Sequence, residues 1–423
     1  MSFIPAPHIS YRTYPDRTIL IDHRTRTTYE LNDAAGDTLD RLERGDKPMA
    51  DEEDFLDELR GLGIFDTAPA PIPPVAPSQG AAPTATDEIF TAIKRYGETH
   101  CIPVAATFSV TYRCPLACRH CFFDQKPATA AGELTLAEIE DGLDQLRDAG
   151  TLYLTLTGGE PLLRHDILDI VAAARVRRFA VSILTSGYLC DEPMLDKLAA
   201  LWPESVQVSL YGPDAATHDR FTGVPGSFDR AIGTLRGLRD RGIAVTAAVS
   251  LNTLTAPTVR ELAALLRAEK IPLSCNITML PARGGTTDPT ALNLPEEILA
   301  AIITDLAIPP GDRLATKRPD DPPCAAARSV VALDPYGAVL PCHELELPAG
   351  SLREKRFAEL WRSRSFEELR ALRFGDLADC PDCRYRAVCG RCPALSLRSG
   401  GTITGHADLD CRTARAFKKV FDL

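Results

Sequence analysis

The sequence predicts a mixed α/β protein built on a mostly parallel sheet, with a small module ahead of it and a cysteine-rich segment behind it. Three observations carry this prediction. Between about residues 100 and 310, apolar strand-like runs alternate with amphipathic helical runs six times, as a parallel sheet with crossover helices requires. Ahead of that region lie two short strand-like runs, two helical stretches and a proline-rich segment. Ten of the thirteen cysteines fall either in one triplet at residues 114–121 or after residue 320.

With 45% hydrophobic and 25% charged residues over 423 positions, the chain is long enough for two or three domains and ordinary for a folded protein. A net charge of −11 argues against a broad nucleic-acid or anionic-membrane surface, because counterion release needs a basic face. The N-terminus lacks a charged segment followed by an apolar core, and no run of eighteen apolar residues occurs, so neither export nor membrane spanning is signalled. A cytoplasmic protein is expected. There the reducing pool keeps thiols free, so thirteen cysteines point to metal or cluster binding rather than to disulfides.

Residues 10–66 form the first expected module. Thr18–Asp22 and Thr27–Leu31 are strand-like runs around the polar turn His23-Arg24-Thr25-Arg26, which predicts a hairpin. Asn32 is placed to cap a helix carrying Ala35, Leu39 and Leu42, which ends at Gly45. A second helix, with Phe55, Leu56, Leu59 and Leu62 on one face, begins among the acids Asp51–Asp54, where the helix dipole favours negative charge. Hairpin plus helices suggests a winged-helix shape. DNA binding is disfavoured, since residues 10–66 hold fifteen Asp or Glu against eight Lys or Arg. Residues 67–86 contain six prolines among small and polar residues, the composition of an extended linker that tethers the module.

Strands are predicted at 104–111, 152–156, 180–184, 205–210, 243–250 and 272–279, with helices near 136–148, 166–177, 192–201, 227–241, 257–269 and 296–305. The chemistry-bearing motifs follow strand ends. Cys114, Cys118 and Cys121, spaced C-x3-C-x2-C, follow the first strand, and Gly158-Gly159-Glu160-Pro161 follows the second. Thr185-Ser186-Gly187 follows the third and Tyr211-Gly212 the fourth. Four thiolates would close a tetrahedral site, whereas three leave one iron of a [4Fe-4S] cluster open to an outside ligand. The other readings of the triplet alone are a reduced thiol patch or part of a zinc site. Gly158 and Gly159 let backbone approach closely without a Cβ in the way. On the fourth strand Gln207, Ser209 and Tyr211 share one face and Val206, Val208 and Leu210 the other. The same alternation on the sixth strand turns Asn276 and Thr278 inward and leaves Cys275 with Ile277 and Met279 against the helices. Cys101 and Cys190 have no partner spacing.

Taken together, the cysteine triplet, Gly158-Gly159-Glu160-Pro161 and Ser209-Leu210-Tyr211-Gly212 resemble the radical S-adenosylmethionine (SAM) enzymes. The resemblance implies a partial (β/α)6 barrel over residues 100–310, with chemistry at the strands' C-terminal ends as in full barrels. It implies that Cys114, Cys118 and Cys121 hold a [4Fe-4S] cluster that binds SAM and reduces it to a 5′-deoxyadenosyl radical. It also implies that Gly158, Gly159 and Glu160 meet SAM's amino group, that His120 lies near the adenine, and that Ser209 reaches the ribose or carboxylate. The segment from Tyr29 to Gly63 is similar to PqqD-like recognition elements, which bind the leader of a ribosomal precursor peptide as an added strand; the other reading of the module is a structural N-terminal cap on the catalytic domain.

Cys324, Cys342, Cys380, Cys383, Cys389, Cys392 and Cys411 occupy residues 318–423. C-x2-C pairs alone suit structural zinc; behind such a barrel their order resembles the SPASM extension, which houses auxiliary [4Fe-4S] clusters. The resemblance assigns Cys380, Cys383, Cys389 and Cys411 to one cluster and Cys324, Cys342 and Cys392 to another. The family's further cysteine just before Cys324 is absent, since Lys317-Arg-Pro-Asp-Asp321 stands there, and the last pair is spaced x2 rather than x3. The first auxiliary cluster thus has an open iron or is absent. The implied activity is a peptide maturase forming an intramolecular thioether or carbon–carbon crosslink, fed by an external donor such as flavodoxin or ferredoxin. The alternatives are epimerisation or oxidation of the peptide, or a winged-helix iron–sulfur redox sensor. The loop Arg283-Gly284-Gly285 is placed to contact peptide, or is an ordinary turn.

Overall fold

A computed structural model describes residues 3–65, 85–123, 127, 129–283, 288–310, 318–378, 380 and 382–421. Residues 67–84 of the expected linker, Gly284-Gly285 and Lys317 lie outside the described residues.

The chain opens with a three-stranded antiparallel sheet, β1 (Ile9–Tyr14), β2 (Arg17–Asp22) and β3 (Thr27–Leu31), in that order. The expected hairpin is β2–β3, and β1 is an additional strand. Helix α1 (Asp33–Glu43) starts where Asn32 accepts the N–H of Ala35 at 2.8 Å, and α2 (Glu53–Gly61) begins among acids. Because side chains alternate along β2, Leu20 packs with Leu39, Leu59 and Ile64, while Ile19 and Ile21 face the other way. That second apolar face needs its own cover. Part of it comes from α3 (Ala85–His100), which starts inside the stretch expected as linker and presents Ile93 and Tyr96.

The predicted parallel strands are β4 (Ala105–Thr111), β5 (Tyr153–Gly158), β6 (Ala180–Thr185), β7 (Ser205–Ser209), β8 (Val245–Ser250) and β9 (Leu273–Asn276). They lie side by side in chain order, and every neighbouring pair is parallel. Their crossover helices are α4 (Leu136–Asp148), α5 (Ile167–Val176), α6 (Glu192–Ala200), α8 (Ser227–Asp240), α9 (Val259–Ala268) and α10 (Glu296–Asp305). The sequence reading missed α7 (Ala215–Thr222), a short helix capped by Asp214 and ended at Gly223, whose φ of +74° suits glycine.

The C-terminal segment extends the same sheet. Strand β10 (Val330–Leu333) pairs in parallel with β4 on the side away from β5, and β11 (Ala338–Leu340) and β12 (Gly350–Ser351) continue antiparallel. The nine-stranded sheet therefore ends at β9 and β12 and stays open. Helices α11 (Phe357–Trp361), α12 (Arg364–Ala371), α13 (Pro393–Gly400) and α14 (Asp408–Phe421) complete the segment, and Arg415 on α14 binds Glu296 on α10 at 2.7 Å.

The small N-terminal sheet is not held by a tether alone, as the sequence reading expected. It is docked on the N-terminal ends of the parallel strands. Ile19, Ile21 and Tyr14 pack with Val104, Leu152 and Ala180 at the starts of β4, β5 and β6. Around that apolar patch Arg178 donates to the carbonyls of Pro5 (2.6 Å) and Ala6 (2.8 Å), and Arg175 to that of Pro7 (2.8 Å). Arg12 and Arg26 reach the other way, to the carbonyls of Thr151 and Gly242, each at 2.8 Å. Among the described residues no helix is long and apolar enough to cross a membrane.

Candidate active site

The opposite ends of the strands carry the cysteine triplet. Leaving β4, the chain turns where Thr111 donates to buried Glu133 and Glu133 also binds Arg113 at 3.3 Å. The loop is then tied to α7, with Ala117 N–H on the carbonyl of Thr222 (2.8 Å) and Arg119 N–H on that of Phe221 (3.2 Å). Gly223 permits this approach, since a Cβ there would sit 3.2 Å from that of Ala117. Cys121 N–H bonds the carbonyl of Cys118 at 3.1 Å, folding the last two cysteines into one turn.

Gly158 and Gly159 turn out to serve this same loop. A Cβ on Gly158 would lie 1.9 Å from the carbonyl oxygen of Thr111, and one on Gly159 would lie 2.4 Å from that of Arg113. Their backbone is bonded there too, Gly159 N–H to Thr111 at 2.8 Å and Glu160 N–H to Arg113 at 2.9 Å. Glu160 is fully buried. Its carboxylate accepts from Thr185 Oγ1 (2.6 Å), Ser186 N–H (2.8 Å) and Leu162 N–H (3.1 Å), and from the Ser186 hydroxyl. These bonds lock the glycine turn to the end of β6. Arg164, missed in the sequence, does the same for the cysteine loop. Its buried guanidinium donates to the carbonyls of Val110 and Leu134, each at 3.0 Å, and to Asp166 at 2.8 Å, bracketing both ends of the loop.

Tyr211 lies within electrostatic reach of the triplet. Burial first, then the charges of Cys118, Cys121 and Cys114, hold its phenol well above the ordinary value. Its oxygen is 3.5 Å from Nε2 of His120, and the His120 and Phe221 rings are 5.0 Å apart. His218, buried so that its pKa falls to about 4, accepts the Tyr211 N–H through Nδ1 at 3.1 Å. On β7, Val206, Val208 and Leu210 lie in the core, while Gln207 and Ser209 are only partly buried. On β9, Ser274 and Asn276 are exposed, whereas Cys275 packs with Leu273 against the core and burial raises its thiol to about 12. Cys190 is buried and likewise raised to about 12, and the Cys101 carbonyl accepts from the Trp361 indole at 2.8 Å.

The C-terminal thiols form two groups. Cys380, Cys383, Cys389 and Cys411 line a single cavity of about 160 Å³ that also touches Asp410. Cys342 is held near 12 by burial, then by the neighbouring Cys324 and Cys392. Cys392 lines a much larger cavity of about 840 Å³ between β9 and the C-terminal segment. Asp410 stands between the groups: its carboxylate accepts the Cys392 N–H at 3.0 Å and it lines both cavities. The donor sets suit iron–sulfur clusters, with three thiols in one loop at the strand ends and four lining one cavity in the extension.

Residues 108–267 match the model of the radical SAM superfamily, and residues 324–393 match that of the SPASM iron-sulfur cluster-binding domain. The chain belongs to the radical SAM superfamily, as an enzyme using a SAM-binding [4Fe-4S] cluster, auxiliary clusters and SAM. Among curated proteins it is similar to the PqqA peptide cyclase of Xanthomonas euvesicatoria pv. vesicatoria, 32% identical over 318 residues, spanning 71% of this chain and 82% of that protein. Its fold is similar to Streptococcus suis SuiB bound to precursor peptide SuiA, with a TM-score of 0.64 at 16% identity, over 96% of this chain and 99% of that one. Native anSMEcpe with bound AdoMet also matches, with a TM-score of 0.61 at 15% identity, over 75% of this chain and 96% of that one.

Proposed function

We propose that this enzyme is a maturase of a ribosomally made precursor peptide, forming an intramolecular thioether or carbon–carbon crosslink. One observation supports it above the rest: the three-thiol loop and the four-thiol cavity occur together in a chain spanning 82% of a PqqA peptide cyclase. Bound SAM and its cluster supply a 5′-deoxyadenosyl radical able to take hydrogen from a peptide carbon. The chain's own residues hold that chemistry in place. Cys114, Cys118 and Cys121 are the cluster ligands. The Gly158 and Gly159 backbone, braced by Glu160, faces SAM's amino group, with Ser209 toward its ribose or carboxylate and His120 toward its adenine.

In this reading Cys380, Cys383, Cys389 and Cys411 would hold one auxiliary cluster, and Cys324, Cys342 and Cys392 supply three thiols for a second, if one is present. A cluster held there would supply an acceptor for the surplus electron, with flavodoxin or ferredoxin as the external donor in the cytoplasm. The sheet β1–β3 acts as the PqqD-like element and takes the leader along β3, which has no further strand beside it among the described residues. Epimerisation is the second reading; Cys275 packs beside Leu273 against the core and also lines the large cavity.

The test is anaerobic reconstitution, reduction and incubation with SAM and the peptide encoded beside the gene, read by mass spectrometry. Formation of 5′-deoxyadenosine with a peptide lighter by one pair of hydrogens supports crosslinking. A peptide of unchanged mass moves the reading to epimerisation, and absence of 5′-deoxyadenosine from cluster-loaded protein defeats it.

A further inference from the structure

A third cavity, of about 340 Å³, lies between the cysteine loop and the β10–β11 turn. Its walls come from Tyr112 and Phe123 on one side and Tyr336, Leu340 and Pro348 on the other, with Arg283 across them. We propose that this cavity receives an aromatic side chain of the substrate peptide, and thereby chooses which residue is presented to the cysteine loop. The inference rests on the substrate being a peptide.

The size suits one large side chain, being at the lower end of small-ligand pockets. The rings are arranged to receive another ring. Tyr112 and Phe123 have centroids 4.5 Å apart at 35°, and Tyr112 and Tyr336 are 5.9 Å apart at 67°, so faces and edges are both presented. The Arg283 guanidinium lies 4.9 Å from the Phe123 centroid and donates to the Tyr112 hydroxyl at 3.3 Å. A π-face entering beside it gains a cation partner.

The Arg283 guanidinium weighs against the competing occupant, a lysine or arginine side chain. Both acids on the wall are already engaged. Asp334 accepts the N–H groups of Tyr336 (2.9 Å) and Ala338 (2.8 Å), and Glu346 pairs with Arg283 (3.0 Å) and Arg398 (3.4 Å). An entering cation would meet Arg283 and share Glu346 with two arginines, leaving the second oxygen of Asp334 as its one carboxylate partner. Position gives the cavity its use. Tyr112 lies two residues before Cys114 and Phe123 two after Cys121, so a side chain held here sets neighbouring peptide residues at the loop.

The experiment titrates the full-length, cluster-loaded protein with N-acetyl amides of tyrosine, tryptophan, leucine and lysine, observed by ligand NMR. The expected result is that the aromatic amides bind about tenfold more tightly than leucine amide, with lysine amide weakest. Ala338→Phe, which fills the cavity, and Tyr336→Ala, which opens it, should each remove that preference, with iron content and thermal unfolding checking that both variants fold. Equal binding of leucine and tyrosine amides, stronger binding of lysine amide, or an unchanged preference in folded Ala338→Phe would overturn the proposal. A protein that binds aromatic amides yet never alters a peptide would instead defeat the maturase reading, so the two failures are distinct.

Discussion

The two ends of the parallel sheet are closed by different means. At the C-terminal ends of the strands, backbone meets backbone: Gly158 and Gly159 press on Thr111 and Arg113, and the cysteine loop is bonded to Thr222 and Phe221. At the N-terminal ends, an apolar patch of side chains does the joining, rimmed by Arg175 and Arg178, which reach the carbonyls of residues 5–7. Backbone contact leaves no room for a methyl group but fixes the loop that carries the thiols. Side-chain contact adapts to shape, and it answers to charge and pH.

Replacing a thiol at the first end should have the largest effect. Cys118→Ala is expected to abolish 5′-deoxyadenosine formation and to lower bound iron by about four per chain, measured by chromatography and iron analysis. At the other end, Arg178→Met strands buried carbonyls and should lower stability by about 3 kcal/mol in denaturant titration. Reductive SAM cleavage should nevertheless survive it; parallel loss of both would show that the two ends are not independent. Gly159→Ala should cost about 1–3 kcal/mol through the clash with Arg113 and loosen the cluster loop, seen as iron loss on gel filtration.

The pH prediction concerns His23. Its Nδ1 lies 2.7 Å from Glu204, and its Nε2 lies 2.9 Å from a guanidinium nitrogen of Arg175. Burial first, then Arg175, lowers its pKa, so the folded state keeps the ring neutral where the unfolded chain binds a proton. Stability is therefore full above the unfolded value near 6.5 and falls as pH drops below it toward the folded value. After correction for the slower chemical exchange at lower pH, the protection factors of β1 and β2 should fall between about pH 7 and pH 5 while those of β4 and β5 hold. Smallest of all, Asn32→Ala should cost about 1 kcal/mol by removing the cap of α1, detectable as a lower unfolding midpoint with SAM cleavage unchanged.

Much of the sheet was legible because six apolar runs alternate with amphipathic helices, and a period-two pattern distinguishes Val206 and Val208 from Gln207 and Ser209. The short elements β1, α7 and β10–β12 were not, since two to eight residues carry little periodicity and their partners are distant in sequence. At the site, spacing picked out the cysteines, but it could not show that Glu160 would turn to Thr185 and Ser186. Nor could it show Arg164, Arg175 or Arg178, because their partners are mainly carbonyl oxygens, which every residue possesses. The interleaving of the cysteine groups around Asp410 likewise becomes visible only when α14 folds back beside Cys392.

The pairing of β10 with β4 has a consequence for how the protein is made. On the ribosome β4 emerges roughly two hundred residues before the strand that covers its outer edge. Until Val330–Leu333 arrives, the nascent chain presents an uncovered strand containing Phe108 and Val110, a template for association with other chains. A version ending after α10 would carry that bare edge permanently, so the C-terminal segment works as a built-in guard of solubility as well as a holder of thiols.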